Sequence, residues 1–314
     1  MGLIVGMDEA GYGPNLGPLV ITATAWNVPG HPRDADFWSS FHDVVTPTPS
    51  RKDPRLHVAD SKAVYSPARG LKILERGVLA GLRLCGETPV GFHELCSRLK
   101  RHNDSTADTG EPWYDGRDLS LPQSKHSVDA SAAGWLAACR REEITLRAIR
   151  SEIVEPARFN ALVRETGSKG VVLSRISMGL LRQVWKPDAD GPTLVIADKH
   201  GGRNHYKDLL AEVLGEREII PMEESTSLSC YRVGDSEIRF RTKAEAHLPV
   251  ALASMVCKYV RELAMDLFND FWAKHVPGLK PTKGYPVDAK RFKNDIAEAQ
   301  RQLGITDDVL WRER

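Results

Sequence analysis

Leu3-Ile4-Val5-Gly6-Met7-Asp8-Glu9-Ala10-Gly11-Tyr12-Gly13-Pro14-Asn15-Leu16-Gly17-Pro18-Leu19-Val20 holds an apolar run that stops at an acid, a glycine-rich turn and a second apolar run. Leu3 to Met7 is short, continuous and apolar, as in a buried strand. After the turn, from Ala10 to Pro18, the segment Leu19 to Trp26 alternates apolar and small polar residues. The two read as strands joined tightly. Side chains alternate faces along a strand, so Asp8 and Glu9 reach one site only where the strand breaks. Gly11-Tyr12-Gly13-Pro14 makes such a break expected. Gly11, Gly13 and Gly17 superficially match a dinucleotide-binding loop, but that loop runs from strand to helix and this one from strand to strand. The dinucleotide reading is therefore discarded.

Beyond these strands, Pro29 to Pro54 is rich in Pro, Asp and His and reads as loop. Ser66-Pro67 predicts a cap and a first-turn proline for a helix carrying Leu71, Leu74, Val78 and Leu79. Arg101 to Val128 is polar, with little periodicity, and reads as a functional flap or an insertion. Ile144 to Val154 reads as a third strand, followed by a helical pattern through Leu173 to Val184. Thr193 to Ala197 is a second short apolar run that ends on an acid, Asp198. Tyr206 to Leu214 reads as helix, and two or three weaker strands fall between Glu218 and Arg241. Val250, Ala253, Cys257, Val260, Ala264, Leu267 and Phe271 predict a long amphipathic helix from Leu248 to Phe271. A charged helix from Val287 and a polar end follow, and no internal repeat is present.

The 314 residues, 41% of them apolar, suffice for one large or two ordinary domains with a real core. With 43 Lys+Arg against 42 Asp+Glu the net charge is +1, so a nucleic-acid partner would need a local basic surface. No run suits a membrane span or signal peptide, which makes cytoplasm the expected compartment. The five cysteines are scattered with no pair at zinc spacing, which argues against a disulfide framework or a thiolate metal site.

Asp8, Glu9, Asp198 and Glu245 are the carboxylates best placed for chemistry. Hard divalent cations take oxygen ligands, and two of them side by side can activate water and stabilise the leaving oxygen of a phosphodiester. A plainer reading stands beside this one. Strands often end in Asp, and an acid before a helix is often a cap or dipole partner.

Five collinear motifs carry a resemblance. Gly6-Met7-Asp8-Glu9-Ala10-Gly11-Tyr12-Gly13 with Gly17-Pro18-Leu19-Val20 resembles the opening signature of the type 2 ribonuclease H family, ribonucleases HII and HIII. Asp60-Ser61-Lys62, Leu194-Val195-Ile196-Ala197-Asp198, Lys243-Ala244-Glu245 with Ala253-Ser254-Met255-Val256-Cys257-Lys258, and Lys283-Gly284-Tyr285-Pro286 are similar to later family motifs. The resemblance spans residues 6 to 286 but omits the insertion and roughly the last 25 residues.

The resemblance implies an α/β, ribonuclease H-like fold: a central mixed sheet flanked by helices with a helical C-terminal extension. It divides the chain into a catalytic core, 1–245 with an insertion near 101–128, and an extension, 246–314, completing the substrate groove. It implies a Mg²⁺- or Mn²⁺-dependent endonuclease using two ions, which cleaves the RNA strand of RNA/DNA hybrids or at ribonucleotides embedded in DNA. No obligate protein partner is evident. Matching positions make Asp8, Glu9, Asp198 and Glu245 the catalytic and metal-binding set, and Gly11, Tyr12, Gly13, Ser61, Lys62, Lys258, Lys283 and Tyr285 the substrate-binding set.

Three positions depart from the family pattern. Glu245 replaces the usual Asp, Glu262 follows Arg261 where Asp is usual, and Tyr12 replaces Arg between the glycines. A non-catalytic nucleic-acid-binding homologue and a nuclease of shifted specificity, such as one for structured DNA, are the alternatives. Lys199-His200 to His205, with Arg203, reads either as a basic binding loop or as solvated surface. Lys280, Lys290, Arg291 and Lys293 concentrate further positive charge near the end. Trp113 and Tyr114 read as anchors of the insertion ahead of base-stacking platforms.

Overall fold

A seven-stranded mixed sheet forms the centre of the chain, in a computed structural model that describes residues 1–50, 52–100, 110–124 and 128–313. In chain order the strands are β1 (Gly2–Ala10), β2 (Leu19–Val28), the short β3 (Val45–Thr46) and β4 (Leu56–His57), β5 (Thr145–Val154), β6 (Thr193–Asp198), β7 (Ile220–Glu224), β8 (Leu228–Val233) and β9 (Ser236–Arg241). Strands β3 and β4 pair with each other, and the rest lie in the order β5-β2-β1-β6-β9-β8-β7. The helices are α1 (Phe37–Ser40), α2 (Ser61–Val64), α3 (Lys72–Leu84), α4 (Phe92–Leu99), α5 (Asp129–Arg141), α6 (Pro156–Thr166), α7 (Lys169–Val184), α8 (Lys207–Leu214), α9 (Leu248–His275), α10 (Pro286–Gln302) and α11 (Asp307–Leu310). This is an α/β arrangement, a mixed sheet flanked by helices with a helical end, as expected from the sequence.

Strand β1 pairs antiparallel with β2 and parallel with β6, and β6 pairs parallel with β9. Three central strands therefore run the same way and end at one edge. The period of two along β1 sends its side chains into two cores. Leu3, Val5 and Met7 belong to the core that holds Leu173 and Leu180 of α7 and Leu210 of α8, while Ile4 belongs to the core that holds Val78 of α3, Trp135 of α5 and Val250 of α9. Each such side chain, fully buried, contributes about 1.5–3 kcal/mol.

Helix α9 corrects the amphipathic expectation. Leu248 to Cys257 and Tyr259 to Met265 are all buried, so it is an interior helix whose few polar groups, such as Arg261 and Glu262, are buried with it. Its first turn lies directly on β1, where a Cβ added to Gly6 would stand 2.3 Å from the carbonyl carbon of Pro249. Only glycine allows that approach.

Other expectations are also revised. Pro29 to Pro54 is not all loop: it holds a short 3-10 turn at Pro32–Asp34, α1 and β3. Ser66 closes a separate turn by accepting from Arg69 and Gly70 N–H, and α3 begins only at Lys72. Helix α6, passed over in the sequence reading, begins on Pro156 and stops at Gly167 in the left-handed region, which are ordinary start and stop signals.

Of the expected insertion, residues 101–109 and 125–127 lie outside the described residues. Within it Trp113 is buried edge-on against Phe268, with centroids 4.9 Å apart, and the Tyr114 hydroxyl donates to Glu155 Oε1 at 2.8 Å. Both are anchors. The polar C-terminal end turns inward, with Leu310 and Arg312 buried. Among the described residues no helix is long and apolar enough to cross a membrane.

Candidate active site

Parallel register brings the acids together. Met7 of β1 lies beside Ala197 of β6, so Asp8 and Asp198 follow side by side where that pairing ends. Asp198 in turn lies beside Arg241, the last residue of β9. Lys243, in the left-handed region at φ 57°, then turns the chain into a 3-10 turn, Ala244–Ala246, that carries Glu245 in front of α9.

The expected break in the first strand is only half present. Pairing with β6 stops at Met7, but pairing with β2 continues to Ala10, so Asp8 and Glu9 are both within β1. Alternation sends Asp8 to the α9 face, where Ser254 hydrogen-bonds its carboxyl group and the Cys257 thiol donates to its carbonyl at 3.2 Å. Glu9 leaves from the opposite face, where its charge acts on Tyr12 and Tyr206.

Burial pushes Asp8 up to about 7, with the charges of Asp198 and Glu245 adding to the rise against hydrogen bonds from Ser254 and the Glu9 N–H. Burial likewise pushes Glu9 up to about 8, with Asp8 and Asp198 adding and Lys62 opposing. Asp198 is raised by burial and then by the charge of Glu245, against the backbone N–H groups of Ala244 and Lys199 and the charge of Lys62. Among the described residues its buried Oδ1 has no hydrogen-bond partner. Four mutually repelling carboxylates with an orphaned oxygen form a donor set that suits a hard divalent cation. Among the described residues, however, no three Asp, Glu, His or Cys side chains stand close enough together to hold an ion as they are.

The remaining candidates surround this edge. Asp60 caps α2 by accepting from Lys62 N–H at 3.1 Å, which leaves Lys62 exposed beside the acids. Ser61 is buried against Ser254, with 3.2 Å between the hydroxyl oxygens. Gly11 needs its φ of 92°, and an added Cβ would meet Pro18 O at 2.5 Å. Gly13 is exposed with open space around it. Tyr12 packs against the core beyond α7, and Lys169 Nζ lies 4.8 Å from its ring centroid. Tyr285 is 57% exposed, and Gly284 before it approaches the first loop closely, accepting from Asn15 N–H at 2.8 Å.

Lys258 and Lys283 share one partner that the sequence reading did not place. Glu262, 2% exposed, accepts from both ammonium groups and, at 2.6 Å, from the Tyr65 hydroxyl. Burial alone would raise Glu262, but Lys258, Lys283 and Tyr65 overcome it and hold the carboxyl below its usual value. The Arg261-Glu262 pair was visible as a motif, yet only packing shows what it holds.

The basic-loop reading of Lys199 and His200 is corrected. Lys199 is buried and donates to Arg203 O, Asn204 Oδ1, Ser225 O and Ser229 Oγ. Burial pushes His200 down to about 3, and its Nδ1 pairs with Ser174 Oγ at 3.0 Å. Both brace the strand end from within.

No family model and no curated protein matches the chain. It is similar in structure to ribonuclease H2 from Pyrococcus horikoshii OT3, at 13% identity over 98% of this chain and 92% of that one, with a TM-score of 0.45. It is also similar to the RNase HII of a PCNA complex from Archaeoglobus fulgidus, at 14% identity over 99% and 94%, with a TM-score of 0.41. A third similar structure is RNase H3 from Aquifex aeolicus, at 14% identity over 98% and 71%, with a TM-score of 0.39.

Proposed function

We propose that this chain is a divalent-metal-dependent endonuclease that cuts the RNA strand of RNA/DNA hybrids or at ribonucleotides embedded in duplex DNA. The observation that carries the reading is that strand register and the turn after β9 bring Asp8, Asp198 and Glu245 to one edge of parallel strands, with Glu9 next in β1 and, among the described residues, no hydrogen-bond partner for Asp198 Oδ1. Mg²⁺ or Mn²⁺, two ions when bound, would supply the Lewis acidity that activates water and stabilises the departing 3′ oxygen.

The chain's own groups do the rest. Asp8, Glu9, Asp198 and Glu245 would hold the cations. Ser254 orients Asp8, and its contact with Ser61 ties that carboxylate to the Asp60-Ser61-Lys62 turn. Lys62, Lys258 and Lys283 offer positive charge to substrate phosphates, the last two steadied by Glu262. Tyr285 is exposed for contact with a nucleotide step, and the Gly11-Tyr12-Gly13 backbone is open to a ribose 2′-hydroxyl. In this reading residues 1–245 form the catalytic core and 246–314 the extension that completes the groove.

The test is cleavage of end-labelled duplexes that are all-DNA, singly ribonucleotide-substituted or full RNA/DNA hybrid, each with Mg²⁺, Mn²⁺ or chelator. Only ribonucleotide-containing strands should be cut, chelator should stop the reaction, and Asp8→Asn should abolish it in a folded chain. Binding without cleavage under every metal condition would make the chain a binding homologue. Cleavage of the all-DNA duplex would mean a nuclease of shifted specificity.

A further inference from the structure

The loop from Gly11 to Pro18 turns four carbonyl groups inward onto two buried arginines. Arg312 donates to Gly11 O and Pro14 O, and Arg261 donates to Pro18 O at 2.6 Å and Leu16 O at 3.1 Å. Arg312 is only 1% exposed, and its main chain is knitted to the same loop: its N–H donates to Asn15 O at 2.8 Å, and Asn15 Nδ2 donates to Arg312 O at 3.1 Å. Asn160 of α6 holds the tail from behind, donating to Trp311 O at 2.8 Å and accepting from Glu313 N–H at 2.8 Å.

A buried guanidinium costs several kcal/mol unless its donors are met. Burial pushes Arg312 down to about 9, the neighbouring charge of Arg261 adds to the fall, and Glu155 opposes it. Yet the side-chain acceptors of this arginine lie on one loop, and that loop follows directly after the acids of β1.

The orientation has a direct consequence. Among the described residues the one cis peptide bond is Leu121–Pro122, so the Gly11–Tyr12 bond is trans. In a trans peptide the C=O and N–H point in opposite directions. Drawing the Gly11 carbonyl inward therefore turns the Tyr12 N–H outward. Among the described residues the N–H groups of Tyr12 and Gly13 have no acceptor, and the space around Gly13 is open.

We propose that Arg312 is a positioning residue: by holding the Gly11 and Pro14 carbonyls inward it aims the Tyr12 N–H at the substrate and sets how well the chain tells a ribonucleotide from a deoxyribonucleotide. The identity of the substrate, though not the clamp itself, rests on the function proposed above.

The experiment uses the full chain and the variants Arg312→Met and Arg312→Lys. Without nucleic acid, amide order parameters of Tyr12 and Gly13 are measured by NMR. With Ca²⁺ present, dissociation constants are measured for an all-DNA duplex and for the same duplex carrying one ribonucleotide. Arg312→Met should lower the order parameters at those two amides and cut the ribonucleotide preference about tenfold, the worth of one well-placed hydrogen bond. Arg312 reaches both carbonyls through one nitrogen, Nη2, so Arg312→Lys, which keeps a charged nitrogen with several N–H donors, should lose less.

Unchanged amides, or a loss of affinity shared equally by both duplexes so that the preference survives, would overturn the proposal. Were wild type itself to show no preference, the proposed function would fail, while the amide measurements would still decide whether Arg312 orders the loop. Should Arg312→Met not fold, Asn160→Ala, which frees the tail from α6 without touching the loop, carries the same expectations and the same refutation.

Discussion

Replacing Gly6 with alanine tests how α9 is docked on β1, two residues from Asp8. The added Cβ would lie 2.3 Å from the carbonyl carbon of Pro249, 2.5 Å from Val250 N and 2.6 Å from Pro249 Cβ, where ordinary contact begins at 3.4 Å. One element must therefore move by about 1 Å, and the atoms in the way belong to backbone and a proline ring. That movement would also strain the buried hydrogen bond from Thr24 Oγ1 to Pro249 O, now 2.8 Å. Overpacking costs roughly 1–3 kcal/mol and a lost buried hydrogen bond about 1 more, so a total of about 2–4 kcal/mol is expected. Urea unfolding followed by circular dichroism should show the unfolding free energy fall by that amount. Gly179→Ala is the control: it lies within α7 with nothing within 4 Å of its new Cβ, and should stabilise by about 0.5–1 kcal/mol. A Gly6→Ala chain within about 0.5 kcal/mol of wild type would refute the close seating of α9, and with it the placing of Ser254 against Asp8.

Three other changes have defined outcomes. Glu262→Gln removes the charge that steadies Lys258 and Lys283, and should weaken binding of a nucleic-acid duplex about tenfold in a fluorescence titration; unaltered affinity would show that the two lysines do not bind phosphate. Lys62→Ala should lower the slope of log Kd against log salt by about 1, the release of one counterion, and an unchanged slope would remove Lys62 from the interface. Burial pushes Glu155 up to about 7, against the Tyr114 hydroxyl and the charges of Lys100, Arg261 and Arg312. A carboxyl group raised in the fold binds its proton more tightly there than when unfolded, so its contribution to stability is lost as pH rises through the folded value. Glu155→Gln should therefore gain on wild type by on the order of 2 kcal/mol between about pH 5 and pH 8 in urea unfolding. A difference independent of pH would mean that Glu155 stays ionised throughout.

Much of the sheet was legible because its strands have short-range signatures. Leu3 to Met7, Leu19 to Trp26, Ile144 to Val154 and Thr193 to Ala197 each form the strand expected, with ends moved by up to three residues. Asp8 and Asp198 stood out because each ends an apolar run, and such a run is buried almost wherever it falls. Helix α9 was found but misread: its apolar spacing shows one face, while the small and sulfur-bearing residues on the others are buried by neighbours that no local pattern names. Lys199 and His200 misled in the opposite sense. A charged loop reads as surface until a strand, a helix and several carbonyl groups are seen to enclose it.

By itself, then, the sequence determined where the main strands and the helices α7, α8, α9 and α10 lie and which acids end apolar runs, since these depend on a residue and its near neighbours. The tertiary structure decided that Asp8 and Glu9 leave opposite faces of one unbroken strand, that one buried Glu262 holds two lysines, and that an arginine at position 312 clamps a loop that starts at position 11. Those pairings join residues up to 301 positions apart. A charge is buried only where a partner arrives to meet it, and that arrival depends on how whole elements pack.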